Sequence, residues 1–336
     1  MARRIVVLGG GRSSEHDVSL RSAASVAAGL RTAGHDVVEL TLERDGTWRH
    51  ADATDAVALV PGEGLLGADA VFPVLHGPFG EDGSVQGLLE LLDVPYVGSP
   101  VLGSAVCMDK LLFKDLMATA GIAQVDYEAV HARDWRADRD GVLRRLERLG
   151  LPVWVKPSRL GSSVGIAPAR TADALAPAID AALAHDARVI VEASAPGIEA
   201  ETAVLGSGDD PRVSAIGEIV LADADPDAWY DYEAKYTPGG MELRVPARIS
   251  DTAAARVREL AGRAFTLSCC EGLARADFFV DGEDVLLNEL NTLPGFTETS
   301  VYGALWQASD VPYPDLVSRL VELAIDRHAR ERRQAY

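Results

Sequence analysis

The first hundred residues alternate short apolar runs with helical stretches, and this pattern constrains the fold more than any other feature. Ile5 to Leu8 is an apolar run that ends in three glycines. From Val18 to Leu30, apolar residues recur at the three- and four-residue spacing of an amphipathic helix. Apolar runs return at 36–42 and 70–75, and a further helical stretch covers 83–92. Strands that alternate with helices predict a parallel sheet with helices on its faces.

The remainder of the chain predicts a mixed α+β region with antiparallel strands, after a Gly- and Pro-rich boundary at 95–100. A length of 336 residues predicts two or three domains at roughly 150 residues per domain. The predicted helices cover 108–120, 142–149, 171–184, 256–267 and 313–332, and the predicted strands cover 152–155, 189–192, 200–205, 213–220, 273–280 and 285–290.

Composition narrows the function classes. The net charge of −19 excludes an ordinary nucleic-acid or anionic-membrane binder, which needs Lys and Arg to neutralise phosphates. The longest stretch without a charged residue, 94–108, is too short for a membrane span, and the N-terminus lacks the apolar stretch of a signal peptide. A cytoplasmic protein is therefore expected, with Cys107, Cys269 and Cys270 as reduced, buried thiols.

Lysine is scarce in this chain. Only four of its 32 basic residues are lysine, and the rest are arginine. A lysine retained in such a chain is a candidate for a task that requires an ammonium group. The four are Lys110, Lys114, Lys156 and Lys235.

Two glycine-rich segments suggest ligand binding. The turn at 9–14 follows a strand, as in dinucleotide-binding folds, but Ser14 stands where the fingerprint has its third glycine. The acidic Glu15 or Asp17 after it would repel a pyrophosphate and suit an ammonium. Lys156 to Gly165 offers an ammonium and several backbone N–H groups to a polyphosphate, although an ordinary flexible loop has the same composition.

Two further segments carry chemistry. Arg275 and Asp277 share one strand face, as do Glu289 and Asn291, because residues two apart on a strand point the same way. The turn signal at 281–284 predicts a hairpin that brings Asp277 opposite Glu289, which would assemble an oxygen-rich Mg²⁺ site beside an arginine. The polar, aromatic loop from Tyr230 to Gly240 could either close over a site or connect surface elements.

Together these segments resemble the D-alanine–D-alanine ligases of the ATP-grasp superfamily. The similarity runs from about residue 5 to 325 in the expected order. It is carried by the motifs Gly9 to Ser19, His76 to Gly83, Met108 to Lys110, Lys156 to Gly165, Tyr230 to Tyr236, Arg275 to Asp277 and Asn288 to Thr297.

The resemblance implies a three-domain ATP-grasp fold, of α/β and α+β class, with a Rossmann-like domain at 1–98, a central subdomain at 99–191 and a C-terminal subdomain at 192–336. It implies ATP, two Mg²⁺ ions with Mn²⁺ as an alternative, and a homodimer. The implied ATP contacts are Lys110, Lys156, Ser162, Ser163, Glu192, Glu199, Lys235 and Asn288, and the implied metal ligands are Asp277, Glu289 and Asn291. The implied amino-acid contacts are Glu15, His76, Arg275, Gly295, Ser300 and Val301, with Glu15, Ser162, Tyr236 and Arg275 as the catalytic set.

The implied reaction is ATP-dependent ligation of two D-alanines through D-alanyl phosphate, for peptidoglycan precursor synthesis. Tyr236 is the residue that accompanies dipeptide formation in this family, where Phe or His accompanies D-lactate. A related ligase that takes D-lactate, D-serine or another D-amino acid second is the alternative. Lys114 lies off the motif positions and is interpreted as a helix-surface residue.

The sequence departs from the family pattern at three places. Ala193 stands where Lys or Gln is common, so only a backbone contact to adenine is expected there, and Leu160 replaces a Glu of some members. The segment 297–304 also differs from commoner versions. Two functions of other classes are alternatives: a nicotinamide oxidoreductase, which rests on the turn at 9–14 alone, and an inactive ATP-binding regulator, which the filled metal and phosphate positions disfavour.

Overall fold

The structure is a computed structural model, and it describes residues 1–51, 53, 55–161, 164–221, 240–297 and 300–334. The N-terminal sheet has the strand order β3-β2-β1-β4, with β1 parallel to both β2 and β4. This confirms the parallel sheet that the alternating pattern predicts. Its strands are β1 (Arg4–Gly10), β2 (Asp36–Leu42), β3 (Trp48–His50) and β4 (Ala70–Pro73), and its helices are α1 (His16–Thr32) and α2 (Ser84–Leu91).

A second sheet, antiparallel with the order β5-β8-β6-β7, follows two consecutive helices. The helices are α3 (Val101–Met108) and α4 (Lys110–Thr119), and Asp109 separates them and caps α4 by accepting from Leu112 N. The other elements are β5 (Tyr127–His131), α5 (Ala132–Ala137), α6 (Arg139–Leu146), a 3₁₀ turn (Glu147–Leu149), β6 (Val153–Pro157), β7 (Ala167–Ala169), α7 (Ala172–Leu183) and β8 (Arg188–Ala193).

The third sheet is antiparallel, with the order β11-β10-β9-β12-β13, and one long helix packs beneath it. Its elements are β9 (Ile198–Ser207), β10 (Asp210–Leu221), β11 (Met241–Arg244), α8 (Asp251–Leu267), β12 (Gly272–Asp281) and β13 (Asp284–Asn291). Two helices complete the chain, α9 (Val301–Gln307) and α10 (Tyr313–Glu331).

The last helix returns to the first sheet. The buried side chains of Tyr313, Leu316 and Leu320 on α10 belong to the same apolar core as Leu30 of α1 and Phe72 of β4. Gly29 permits this contact, because a Cβ at that position would lie 2.9 Å from the Tyr313 ring. The C-terminal segment therefore helps to hold the first sheet against the third.

Several sequence-based predictions need correction. The predicted helix 108–120 begins instead at Lys110, and α3, α5, α9 and the strands β3, β5, β7 and β11 were missed. Cys269 is exposed, whereas Cys107 and Cys270 are buried with their sulfurs 3.6 Å apart, as expected of small apolar residues. The helix-surface interpretation of Lys114 is wrong, because this side chain is fully buried. Within the described residues, no helix combines the length and apolar character that crossing a bilayer requires.

Candidate active site

A row of charged side chains crosses three neighbouring strands of the third sheet. Asp277 on β12 lies opposite Glu289 on β13 and opposite Glu201 on β9, and Arg275 lies opposite Asn291. The turn at 281–284 closes the hairpin in the predicted register. Because cross-strand neighbours share a face, the two carboxylates and the amide predicted for a metal site do converge.

A bulge in this hairpin displaces one further polar residue. The register shifts after Asp277, so that Phe278 pairs with Leu287 and Asn288 has no cross-strand partner. Asn288 lines the same cleft as Glu289. Bulges of this kind redirect side chains beside functional sites.

Arg275 forms a bidentate ion pair with Asp277 on the same strand. Its Nε donates to Asp277 Oδ1 over 2.7 Å and its Nη2 donates to Asp277 Oδ2 over 2.6 Å, while Glu201 Oε2 lies 3.0 Å from Nε. All three side chains are buried. A bidentate guanidinium–carboxylate pair is a strong, directional interaction, so the position of Arg275 is well defined.

The donor set suits a hard divalent cation. Asp277, Glu289 and Asn291 offer oxygen atoms, which Mg²⁺ prefers. Cationic side chains already balance the two carboxylates, since Arg275 pairs with Asp277 and Lys110 Nζ lies 3.1 Å from Glu289 Oε2. The Asn291 amide oxygen accepts from Leu293 N over 3.0 Å. The described residues hold no cluster of three or more His, Cys, Asp and Glu placed for a metal, so the set depends on Asn291 as its third member.

Two lysines approach the cleft from the second sheet and from α4. Lys110 Nζ also donates to the carbonyl of Leu160 over 3.2 Å. Lys156 Nζ lies 2.5 Å from Glu192 Oε2. The α4 helix and the β6 strand are joined next to these lysines, because Lys110 N donates to Ser158 O over 2.9 Å and Ser158 Oγ donates to Asp109 Oδ1 over 2.8 Å.

Glu192 bridges two ammonium groups. Its Oε1 lies 2.9 Å from Lys114 Nζ, on the opposite side from Lys156. Burial alone would raise the pKa of Glu192, but the charges of Lys114 and Lys156 outweigh it and lower that pKa to about 2. The same burial lowers the pKa of Lys156, and the Glu192 charge more than compensates and raises it.

A cleft lies between the second and third sheets and is lined by residues of both. The Glu192 and Glu199 side chains line it, as does Ala193, whose N–H donates to Asp126 O. Apolar residues of both sheets complete its walls, including Trp154, Ile166 and Phe278. Apolar walls beside two lysines fit a base and its phosphates.

A second cavity adjoins the first and shares four of its residues. Both are lined by Lys110, Leu160, Gly161 and Glu289. The second cavity adds Glu15, His76, Glu81, Arg275, Asn291 and Gly295.

Glu15 and His76 lie together at the N-terminal side of this cavity. The close approach requires Gly77, where a Cβ would stand 2.5 Å from Glu15 Oε2. His76 Nε2 lies 3.1 Å from Ser22 Oγ, and Nδ1 lies 3.1 Å from Leu293 O and 3.5 Å from Glu81. Burial lowers the pKa of His76, but the hydrogen bond and charge of Glu81, together with the charge of Glu15 and the Leu293 carbonyl, outweigh burial and raise that pKa.

The remaining predicted residues divide into two groups. Gly295 lines the second cavity, whereas Ser300 precedes α9 and donates from Oγ to Thr297 O over 2.6 Å, and Val301 is buried. Ser162, Ser163, Lys235 and Tyr236 lie outside the described residues.

Sequence reasoning missed three acidic or basic partners. Glu81 lies beside His76 and Glu201 lies beside Arg275, and both glutamates are largely shielded from solvent. Lys114 pairs with Glu192. The alternation on β9 could have indicated Glu201, because it points to the same face as the predicted Glu199. The spacing of motifs could not have indicated Lys114, because the residue that it contacts lies on another structural element.

Comparison with known proteins decides the family. The sequence profile described as D-ala D-ala ligase C-terminus matches residues 116–322, and the one described as D-ala D-ala ligase N-terminus matches 4–64 and 57–99. The chain belongs to the D-alanine–D-alanine ligase family. This confirms the resemblance of the sequence motifs.

Two relatives of this family match over nearly their whole length. A D-alanine–D-alanine ligase of Deinococcus radiodurans is 46% identical over 97% of this chain and 99% of its own. One of Bacillus velezensis is 42% identical over 96% of this chain and 98% of its own.

Solved structures show the same fold. The D-alanine–D-alanine ligase of Coxiella burnetii superposes with a TM-score of 0.86 at 35% identity, covering 99% of this chain and 96% of that one. The VanG D-Ala:D-Ser ligase of Enterococcus faecalis gives 0.83 at 32% identity, covering 96% of this chain and 100% of that one. The three sheets thus form an ATP-grasp fold, as expected.

Proposed function

We propose that this protein joins two D-alanines to D-alanyl-D-alanine at the expense of ATP. One observation carries the proposal: the cleft with two lysines opens, at Lys110 and Glu289, onto a cavity that holds Glu15 and Arg275. A phosphoryl group bound between the lysines would therefore meet an amino acid bound beside the arginine. Members of this family use ATP, and the apolar walls of the cleft suit its base.

The nucleotide site uses residues from both walls of the cleft. Lys110 and Lys156 bind phosphates, Glu199 binds the ribose, and Glu192 and Asn288 border the base and phosphates. Ser162, Ser163 and Lys235 complete the phosphate contacts from the loops at 156–165 and 230–240. Positive side chains that surround the phosphates stabilise the charge that spreads over the transferred group.

Asp277, Glu289 and Asn291 would hold two Mg²⁺ ions, or Mn²⁺ in their place. When bound, these ions neutralise the phosphate oxygens and orient them for in-line transfer. Arg275 already lines the cavity that would receive the amino acid, and Glu201 gives its guanidinium a second carboxylate partner besides Asp277.

The first D-alanine binds with its ammonium at Glu15, beside His76, and its carboxylate toward Lys110. That carboxylate attacks the γ-phosphorus of ATP, and the bond to the β-γ bridging oxygen breaks. ADP leaves and D-alanyl phosphate remains. Arg275 stabilises the negative charge on the oxygen of the tetrahedral intermediate that forms next.

The second D-alanine binds with its carboxylate near Ser300, Val301 and Gly295. Its amine attacks the acyl carbon of D-alanyl phosphate, loses a proton, and expels inorganic phosphate. Water would compete with the amine, so the loop with Tyr236 and the loop with Ser162 must cover the intermediate. Glu15, Ser162 and Tyr236 form the network that links these loops.

D-Alanine is the second substrate that the relatives support best. The relatives from Deinococcus radiodurans and Bacillus velezensis, at 46% and 42% identity, are both named D-alanine–D-alanine ligase. Phosphate release decides the question when D-alanine alone is compared with D-alanine plus D-lactate, D-alanine plus D-serine, and L-alanine. D-Alanine alone should support turnover, and release that requires a second acceptor or L-alanine overturns the assignment.

The biological assignment follows from this product. D-Alanyl-D-alanine is a peptidoglycan precursor, so we place the protein in cell-wall synthesis in the cytoplasm, as a homodimer with domains at 1–98, 99–191 and 192–336. Gel filtration with light scattering tests the dimer. A mass of one chain of 35.7 kDa would exclude it.

A further inference from the structure

Lys114 is the lysine that no motif explains, and it is the most deeply buried of the described lysines. It lies on α4, one helical turn after Lys110, and its side chain is only 2% exposed. Its ammonium contacts Glu192 Oε1 at 2.9 Å and stands 5.8 Å from the centre of the Tyr127 ring. A lysine is buried in this way only where a specific interaction offsets the loss of hydration.

The surroundings of Lys114 point to the nucleotide cleft. Glu192 lines that cleft and Lys156 does too, whereas Lys114 is not part of its wall. The two lysines contact different oxygens of one carboxylate, so Lys114 lies behind Glu192 while Glu192 and Lys156 both line the cleft. Lys114 therefore contacts the cleft wall through Glu192.

The charges of this triad explain why a second lysine is needed. A buried Glu192 with Lys156 as its one partner would form a neutral pair, which draws the Lys156 ammonium inward. With Lys114 behind it, the carboxylate is shared between two ammonium groups and the triad keeps one net positive charge. That charge is directed to the cleft, where an anionic nucleotide would bind.

We propose that Lys114 is a positioning residue of the nucleotide site, which holds Glu192 so that the Lys156 ammonium remains available to nucleotide phosphates. This proposal rests on the nucleotide site of the proposed function and adds a residue to it. Lys114 touches neither substrate in this arrangement. Its effect appears in nucleotide affinity rather than in the affinity for D-alanine.

A double-mutant cycle on the full chain tests the proposal, with the Kd of ADP measured by calorimetry without metal ions. Lys114→Met should weaken ADP binding at least about tenfold and raise the KM of ATP, with the KM of D-alanine unchanged. The same substitution in a Glu192→Gln background should change the Kd less than about threefold, because the carboxylate that Lys114 restrains is gone. Lys114→Arg, which keeps the charge, should retain affinity within about threefold.

Met117→Ala is the matched control, since Met117 is fully buried one turn further along α4 and lies outside both cavities. It should lower the Tm without changing the Kd of ADP. An equal loss of affinity from Lys114→Met in both backgrounds, or a loss in Met117→Ala of the same size, would show a packing role and overturn the proposal. So would unchanged binding in Lys114→Met, or a tenfold loss in a folded Lys114→Arg.

The same measurements separate this proposal from the proposed function. The double-mutant cycle measures ADP binding and does not depend on catalysis. Wild-type protein that binds ADP and shows the expected cycle, yet releases no phosphate with D-alanine, would contradict the ligase assignment alone. If the wild type turns over but Lys114→Met changes the Kd of ADP equally in both backgrounds, only the proposed role of Lys114 is contradicted.

Discussion

Arg275 and Asp277, two residues apart on β12, form a buried bidentate ion pair with N–O distances of 2.7 and 2.6 Å. The guanidinium proposed to stabilise the tetrahedral intermediate thus rests on a carboxylate proposed to bind Mg²⁺. Glu201 contacts the same guanidinium at 3.0 Å. Glu201 therefore gives Arg275 a second anchor, which would hold the guanidinium in place if Asp277 bound a metal ion.

Replacing Arg275 tests the role of its guanidinium in catalysis. In Arg275→Lys the charge remains, but one ammonium cannot span both Asp277 oxygens and also reach the reacting oxygen. We expect kcat to fall by roughly 10²–10³, with the KM of ATP within about threefold of the wild type. Steady-state kinetics with a coupled ADP assay measures both. Arg330→Lys, in an exposed pair with Glu271, serves as control, and a kcat for Arg275→Lys equal to that control would refute the role.

Replacing Asp277 tests the metal site. Asp277→Asn keeps the size of the side chain and removes one of two carboxylates from the oxygen set. The Mg²⁺ concentration for half-maximal activity should therefore rise at least about tenfold. Asp281→Asn at the exposed end of the same strand is the control and should leave that concentration unchanged. An unaltered Mg²⁺ dependence in Asp277→Asn would remove Asp277 from the ligand set.

The Glu192 ion pairs predict a pH dependence of stability. Because the pKa of Glu192 is lowered from 4.5 to about 2, its pairs stabilise the folded state fully above pH 4.5 and lose this contribution as the pH falls toward 2. Glu192→Gln leaves the buried Lys114 ammonium and the partly buried Lys156 ammonium without their partner, and should lower the Tm at pH 6 by about 6 °C or more, from roughly 3 kcal/mol of lost stability.

Thermal unfolding across pH 2–6 measures this contribution. The Tm difference between wild type and Glu192→Gln should be constant above pH 4.5 and should narrow below it. A difference that stays constant down to pH 2 would contradict the ion-pair assignment.

His76 offers a spectroscopic test of the amino-acid cavity. Its pKa is raised above the usual 6.5, because Glu81, Glu15 and the Leu293 carbonyl together outweigh the opposing effect of burial. In Glu81→Gln the contribution of Glu81 is lost while the burial effect remains, so the pKa should fall below its wild-type value. NMR titration of the imidazole C–H signals reads both values, with exposed His131 as an internal reference. A His76 pKa that is the same in the wild type and in Glu81→Gln would show that Glu81 does not raise the pKa of His76.

Local sequence patterns predicted the parts of the molecule that depend on neighbouring residues. The alternation of β12 and β13 and the turn between them place Asp277 opposite Glu289, because a hairpin fixes its own register. The first sheet follows likewise from its strand–turn–helix repeats. The helix α3 escaped prediction because its apolar residues follow directly on a Gly- and Pro-rich segment.

Distant partners account for what the sequence did not predict. Lys114 resembles a surface residue in its helix, yet its partner Glu192 lies on β8 of the second sheet, 78 residues further along the chain. Glu201 becomes a site residue only when β9 pairs with β12. Such roles depend on tertiary packing between elements far apart in the chain, which helical or strand periodicity does not encode.

The fate of the carboxylate oxygens of D-alanine tests the ligase proposal most directly. The protein is incubated with ATP, Mg²⁺ and D-alanine labelled with ¹⁸O in both carboxylate oxygens, and the released phosphate is examined by mass spectrometry. Transfer through D-alanyl phosphate places one ¹⁸O in each phosphate, together with one D-alanyl-D-alanine and one ADP. Unlabelled phosphate, or label in AMP, would contradict the proposed reaction.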